Sequence, residues 1–177
     1  VAGKEYEVDC IIYASGFEVG TPFERRAGFN PKGRNGLQLS EYWANGMRTK
    51  HGTHVHGFPN AFIVQPTQGA NLISNVPHNL TESGKTIAMI VKHALDNGHS
   101  TVEVSKEAED EWIKLLLSGP GMILGSQDCT PGYYNNEGRD PGPTAKYHVG
   151  YPGGASAYFA YLDKWRSNGK FEGLEFR

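Results

Sequence analysis

Three closely spaced histidines, His51-x-x-His54-x-His56, are the first residues in this chain whose type and spacing could do chemistry. On a strand His54 and His56 would share a face, and imidazole is a common zinc ligand. No carboxylate or cysteine stands at ligand spacing beside them, and a third ligand would have to come from a glycine-containing turn. Packed or hydrogen-bonded histidines are therefore expected, and no metal. Gly119-x-Gly121-x-x-x-Gly125 imitates a dinucleotide loop. It follows a helical pattern, whereas cradling a phosphate requires strand, tight turn and helix N-terminus in that order. A Gly-x-Ser-x-Gly elbow is absent, and no two carboxylates divide into an acid and a base. Cys10 sits inside an apolar run and is expected to be a buried small hydrophobe, while Cys129 lies in a Gly/Pro/Tyr loop. Without a CxxC pair or a secretory pattern, a reduced, cytoplasmic setting is expected. The sequon Asn79-Leu80-Thr81 is then chance. No catalytic constellation is complete within the chain.

The elements that would position these residues are short. The chain has 177 residues, with 23 glycines and 10 prolines, glycine running at nearly twice its usual share of ~7%. Length alone suggests about one domain. Such a composition predicts much irregular backbone between regular elements, and glycine also lets a ligand approach the main chain closely. Composition does not separate tight turns from ligand loops. A net charge of −2 argues against a nucleic-acid partner, and no apolar run reaches the ~20 residues of a membrane span. The first residues form no signal peptide, and a start at Val1 is expected from processing or from a cut inside a longer protein.

Val8 to Ala14 is a continuous apolar run broken only by Asp9, as a central strand buried on both faces reads, with its ligand-collecting turn at Ser15-Gly16. Residues 18–40 read as loop with one short helical turn, and Ser40–Trp43 opens another. Ala61–Val64 reads as a second buried strand. A helix from about Asn79 or Thr81 to Asp96 places Ile87, Ile90, Val91 and Leu95 on one stripe and stops at Asn97-Gly98. Thr101–Val104 alternates like an edge strand. Ser105 caps a helix to about Leu117, with Glu107 and Glu109 near its positive end and Ala108, Trp112, Leu115 and Leu116 on its apolar face. Residues 118–154 are loop. A last helix near Ala155–Ser167 carries Tyr158, Tyr161 or Leu162, and Trp165; Gly169 ends it, and Phe171–Phe176 adds a final strand.

Asp9-Cys-Ile-Ile-Tyr-Ala-Ser-Gly16-Phe17 resembles the D-x-(apolar)₂-Y-A-T-G-F strand and turn of flavin-dependent class B monooxygenases, with Ser15 in place of the threonine. Trp43–Gly52 and His56-Gly-Phe-Pro-Asn60 resemble that family's downstream signature. Asn71-Leu-Ile-Ser-Asn-Val-Pro77 is similar to the loop lining flavin and substrate in Baeyer–Villiger monooxygenases, and Cys129–Gly138 to a late loop of members acting on bulky ketones. The resemblance runs from about Val8 to the C-terminus. Family members are several hundred residues long, and their two GxGxxG loops, their His/Trp fingerprint and their arginine beside the flavin lie upstream. None of these occurs here, so the chain resembles a C-terminal third.

The resemblance implies an α/β fold: the C-terminal part of a flavoprotein with two dinucleotide-binding domains for FAD and NADP, loop-rich and with about three helices. Residues 1–98 would complete the FAD domain and pocket, and 99–177 would form a helical and loop extension. It also implies an oxidoreductase using FAD and NADPH, with O2 and a ketone as substrates and the remainder of its own polypeptide as partner. One oxygen would be inserted beside the carbonyl, giving an ester or lactone. Gly16 and Phe17 would border the cofactors, Pro66 would end a strand approaching the flavin, and Asn75, Val76 and Pro77 would contact its ring. Leu72, Ile73 and Tyr133 would shape the ketone pocket. Cys129 stands where small-ketone members carry a tryptophan touching NADP, and would suit a roomier pocket. An N-hydroxylating or flavin-containing relative shares the Ala-Ser-Gly-Phe element, and a non-catalytic module binding a nucleotide or partner is the alternative of a different class.

Overall fold

A computed structural model describes residues 3–14, 23–65, 67–71, 74–120 and 142–177. Its elements in chain order are α1 (Phe23–Ala27), α2 (Leu39–Tyr42), α3 (Val76–Asp96), β1 (Val102–Val104), α4 (Lys106–Leu117), α5 (Gly154–Ser167) and β2 (Leu174–Phe176). Among the described residues only β1 and β2 form a ladder, antiparallel, with Val102 opposite Phe176 and Val104 opposite Leu174. Three of these helices are long, as expected.

The principal core lies where α3, α4, α5 and the β1–β2 ribbon meet. Ile90, Val102, Trp112, Ile113, Leu116, Tyr158, Leu162, Trp165 and Phe171 are buried together there. Each helix delivers its residues at helical spacing, as α4 does with Trp112 and Leu116. Of the apolar face expected on α4, Leu115 instead faces outward and Ile113 takes a core place. Ser105 caps α4 by accepting from the Ala108 N–H at 3.1 Å. Gly98 and Gly169, both with left-handed φ, follow the ends of α3 and α5. A second, smaller cluster of Leu39, Val55 and Phe58 holds residues 23–63 together.

Helix α3 begins earlier than its apolar period predicts. Asn75 accepts from the His78 N–H at 3.0 Å, and Pro77 occupies the first turn, where a missing N–H is not needed. Its buried face is also rotated from the expected stripe and is largely polar: Asn79, Glu82, Ser83, Thr86, Ile90 and Ala94. The cause is Arg166 of α5, buried between the helices, whose Nη2 meets Glu82 at 2.8 Å and whose Nη1 donates to Thr86. Lone buried charges are costly, so the guanidinium holds α3 by its polar side. Val91 and Leu95 are left exposed.

The two strands expected at Val8–Ala14 and Ala61–Val64 are not formed. Residues 8–14 carry no ladder, with Ile12 85% and Tyr13 88% exposed, and Cys10 is exposed, not buried. Phe62 makes a single bridge, to His54. A strand buried on both faces needs paired neighbours and covering layers; among the described residues Val8–Ala14 has neither, and Ala61–Val64 has only that bridge, with Phe62 and Ile63 packed against the two clusters. Nor does β1 alternate: all three residues are buried, because Glu103 turns inward to Arg34.

Candidate functional site

Gly16, Phe17, Pro66, Leu72, Ile73, Cys129 and Tyr133 lie outside the described residues, as does Gly121–Gly125 of the glycine-rich segment. Asn75, Val76 and Pro77 form the start of α3. Val76 and Leu80 line one wall of a cavity of about 370 Å³, and Phe23, Phe62, Val64 and Gln65 line the others. The apolar lining interrupted by one carboxamide suits a planar aromatic ring with polar edges. Residues 62–65 and Val76, on two segments expected from the sequence to approach the flavin, thus face one space; Asn75 and Pro77 are not in its lining. The chemistry of these residues fits the ring of FAD.

Between residues 65 and 75 the chain passes through residues 67–71; the sequence marks Gln65–Gly69 as a sharp end to the preceding segment, but not the burial of Gln68. Gln68 is fully buried at φ +61°, and Asn71 is buried at φ +68°. The Gln68 carboxamide donates to the Met47 carbonyl at 2.8 Å and the Tyr147 carbonyl at 2.9 Å, and accepts from the Thr49 hydroxyl at 2.6 Å. Its backbone N–H donates to the Val149 carbonyl, and its carbonyl accepts from the Trp112 indole N–H at 3.0 Å. The Asn71 carbonyl accepts from Asn79 Nδ2 at 2.9 Å and from the Ser74 hydroxyl at 3.2 Å. Asn79, the residue of the sequon, is therefore occupied by structure. Pro66 and Gly69 are the sequence signals of this turn, and neither reports that Gln68 between them is buried.

Two buried carboxylates brace the signature around His56. Glu109, fully buried on α4, accepts from the Tyr42 hydroxyl and from the His56 N–H at 3.0 Å, with Arg48 Nε 3.5 Å away. Glu103 accepts from the Gly57 N–H at 2.8 Å and pairs with Arg34 at 2.6 Å. Burial opposes the charge of Glu103, but Arg34 and the Gly57 N–H prevail and hold its pKa below the usual range. A helix-period reading places Glu109 in the first turn as a dipole partner, and nothing in the sequence marks it as buried.

The histidines are packed. His51 sits with its ring 4.6 Å from those of Trp112 and Trp165, edge-on to both, and Nε2 is 3.1 Å from the Tyr161 hydroxyl. His54 lies edge-on to Phe62, and His56 Nδ1 donates to the Val104 carbonyl at 2.9 Å. Burial, reinforced by Lys50, pushes His54 down to about 3 and holds His51 well below its ordinary value. Both rings are held in the neutral form, and the His51 Nδ1 and His54 Nε2 atoms have no hydrogen-bond partner among the described residues. Among the described residues no cluster of three His, Cys, Asp or Glu could hold a metal ion, and no helix is long and apolar enough to cross a membrane.

No family model matches the chain. It is 42% identical over 178 aligned positions to pentalenolactone D synthase of Streptomyces arenae, covering 99% of this chain and 30% of that protein. It is 39% identical over 170 positions to a Baeyer–Villiger monooxygenase of Streptomyces coelicolor, covering 94% of this chain and 27% of the relative. The chain thus spans about a third or less of the length of the relatives it matches. Among solved structures it is similar to the polycyclic ketone monooxygenase of Thermothelomyces thermophila, with TM-score 0.72 and 27% identity over 86% of this chain and 25% of that one. An oxidized steroid monooxygenase bound to NADP shares the fold, with TM-score 0.73 at 20% identity, covering 99% and 31%. The expected α/β segment of a two-dinucleotide-domain flavoprotein agrees with these neighbours. Along nearly their whole length, the 177 residues are therefore homologous to the Baeyer–Villiger monooxygenases, and they fit the C-terminal portion of that family.

Proposed function

We propose that this chain is the part of a cytoplasmic, FAD- and NADPH-dependent monooxygenase that completes the flavin and ketone site, the whole enzyme inserting one atom of O2 beside a ketone carbonyl to give an ester or lactone. The observation that carries the reading is the 39% identity along 94% of the chain to a Baeyer–Villiger monooxygenase. The apolar cavity between residues 62–65 and the start of α3 supports it.

FAD, reduced by NADPH, supplies the activated oxygen when bound. The chain's own residues supply position and dryness. Val76 and Leu80 would present apolar surface where water would compete, and Asn75, Val76 and Pro77 would hold the ring. Gly16, Phe17 and Pro66 border the cofactors, Leu72, Ile73 and Tyr133 shape the ketone pocket, and Cys129 leaves it roomy. Residues 1–98 complete the FAD domain, and 99–177 extend it. The exposed apolar run Val8–Tyr13 finds its neighbours in the remainder of the polypeptide.

Asn75 does two things in this reading, and they can be separated. Asn75→Ala removes a helix cap, costing about 1 kcal/mol, and also alters the flavin contact. Asn75→Ser keeps a capping oxygen. In the full-length enzyme both substitutions are expected to lower flavin retention or raise the hydrogen peroxide released per NADPH, with only Asn75→Ala lowering Tm. Unchanged flavin content and peroxide yield in both variants would overturn the placement of Asn75 at the ring.

A further inference from the structure

We propose that Gln65 is a flavin-binding residue: its carboxamide oxygen accepts from the imide N–H at the polar edge of the FAD ring, and Met47 holds that carboxamide in the orientation the contact needs. The inference rests on the monooxygenase reading and deepens it. Its ground is the cavity of about 370 Å³ between residues 62–65 and the start of α3, all of whose lining residues are described.

Six of the seven lining residues are aromatic or aliphatic, and Gln65 is the seventh. A site of this kind holds its ligand by apolar surface and orients it by the few polar groups set into that surface. Gln65 differs from the glutamine three residues on. Gln68 is fully buried and commits its carboxamide to three protein partners, whereas Gln65 is half-buried and has one, the Met47 thioether, 3.3 Å from Nε2. A thioether sulfur only accepts, so this contact fixes which end of the amide is nitrogen and turns the oxygen away from Met47. The Met47 main chain is itself pinned, its carbonyl accepting from Gln68 Nε2 at 2.8 Å. Among the described residues no donor meets the Gln65 oxygen. The aromatic walls beside it are braced from behind: Phe23 lies edge-on to Trp43 at 6.5 Å and to Phe29 at 5.9 Å, and Phe62 edge-on to His54 at 5.5 Å. The flavin ring has an apolar dimethylbenzene end and a pyrimidine end with one N–H between two carbonyls. A polar group enclosed by apolar side chains is costly unless it is hydrogen-bonded. One free acceptor in an apolar wall answers that one N–H.

The probe is 3-methyl-FAD, whose imide nitrogen carries a methyl group and has no hydrogen to donate. Full-length wild-type enzyme is expected to bind it about tenfold more weakly than FAD, the worth of one such hydrogen bond, read from the fluorescence of released flavin. Gln65→Leu is similar in size and has no acceptor. It is expected to bind FAD about tenfold more weakly than wild type does, and to bind 3-methyl-FAD as well as it binds FAD. Met47→Leu keeps the carboxamide and removes its anchor, so the preference for FAD should fall to about threefold. This variant carries the test should Gln65→Leu yield no folded protein. A merely structural role weakens both flavins by the same factor and leaves the preference intact. A preference for FAD that survives undiminished in the variants therefore overturns the proposal, as does equal binding of the two flavins by the wild-type enzyme. A wild-type enzyme that binds no FAD contradicts the parent reading instead, and is seen before any variant is made.

Discussion

Replacing Trp112 with alanine is expected to cost about 3–5 kcal/mol of stability, the range for removing a large aromatic from a packed core and a large share of a typical domain's total. The indole stacks on Tyr151 at 5.8 Å and lies 5.5 Å from Tyr161, with the His51 ring edge-on at 4.6 Å. Its N–H also satisfies the buried Gln68 carbonyl, so truncation leaves both a cavity and an unpaired acceptor. Trp112→Phe keeps most of the packing and should cost only about 1–3 kcal/mol, the penalty of that acceptor. Urea denaturation of the two variants checks the order. An alanine variant no less stable than the phenylalanine variant would show that the aromatic cluster does not hold α4 to α5.

Acid is expected to destabilise the protein in a window set by histidine. His51 and His54 are held neutral in the folded state, with pKa values below the 6.5 of an unperturbed ring. Below that pH the unfolded chain binds more protons than the folded one, so stability is fully present above about 6.5 and falls as pH falls. Each ring removes about 1 kcal/mol per pH unit on the way down, and partly buried His148, also lowered by burial, adds a smaller part. Glu82, Glu103 and Asp110 are held below their ordinary values by Lys85, Arg34 and Lys106 respectively, with further ion-pair partners. Their contribution is lost only below about 4.5, so the interval from 6.5 to 4.5 isolates the histidines. His54→Phe, placed against Phe62, should reduce the slope of unfolding free energy against pH in that interval to about half. An undiminished slope would mean that His54 takes up its proton without unfolding.

Helices and caps were legible in the sequence because their signals are local. Ser105, Gly98 and Gly169 mark ends by their own conformational preferences, and the Trp112–Leu116 spacing finds the core without knowledge of the rest. What sequence reasoning misplaced depends on partners distant in the chain. The polar face of α3 is buried because Arg166 lies against Glu82, 84 residues away, and no periodicity on α3 reports that. Val8–Ala14 has the composition of a central strand and, among the described residues, no strand beside it. The start of α3 was available in Asn75-Val-Pro77, a cap followed by a first-turn proline, but the apolar period drew the boundary later. Gln68 and Glu109 were invisible for a further reason: a buried glutamine or glutamate reads as surface until its partners are known.

The most direct measurement is the fate of oxygen in the product. The full coding region containing these 177 residues is expressed, supplied with FAD and NADPH under 18O2, and given a polycyclic ketone. The account predicts ketone-stimulated NADPH oxidation and a lactone carrying one 18O atom. NADPH oxidation that ketones do not stimulate, with no labelled ester or lactone, would contradict it.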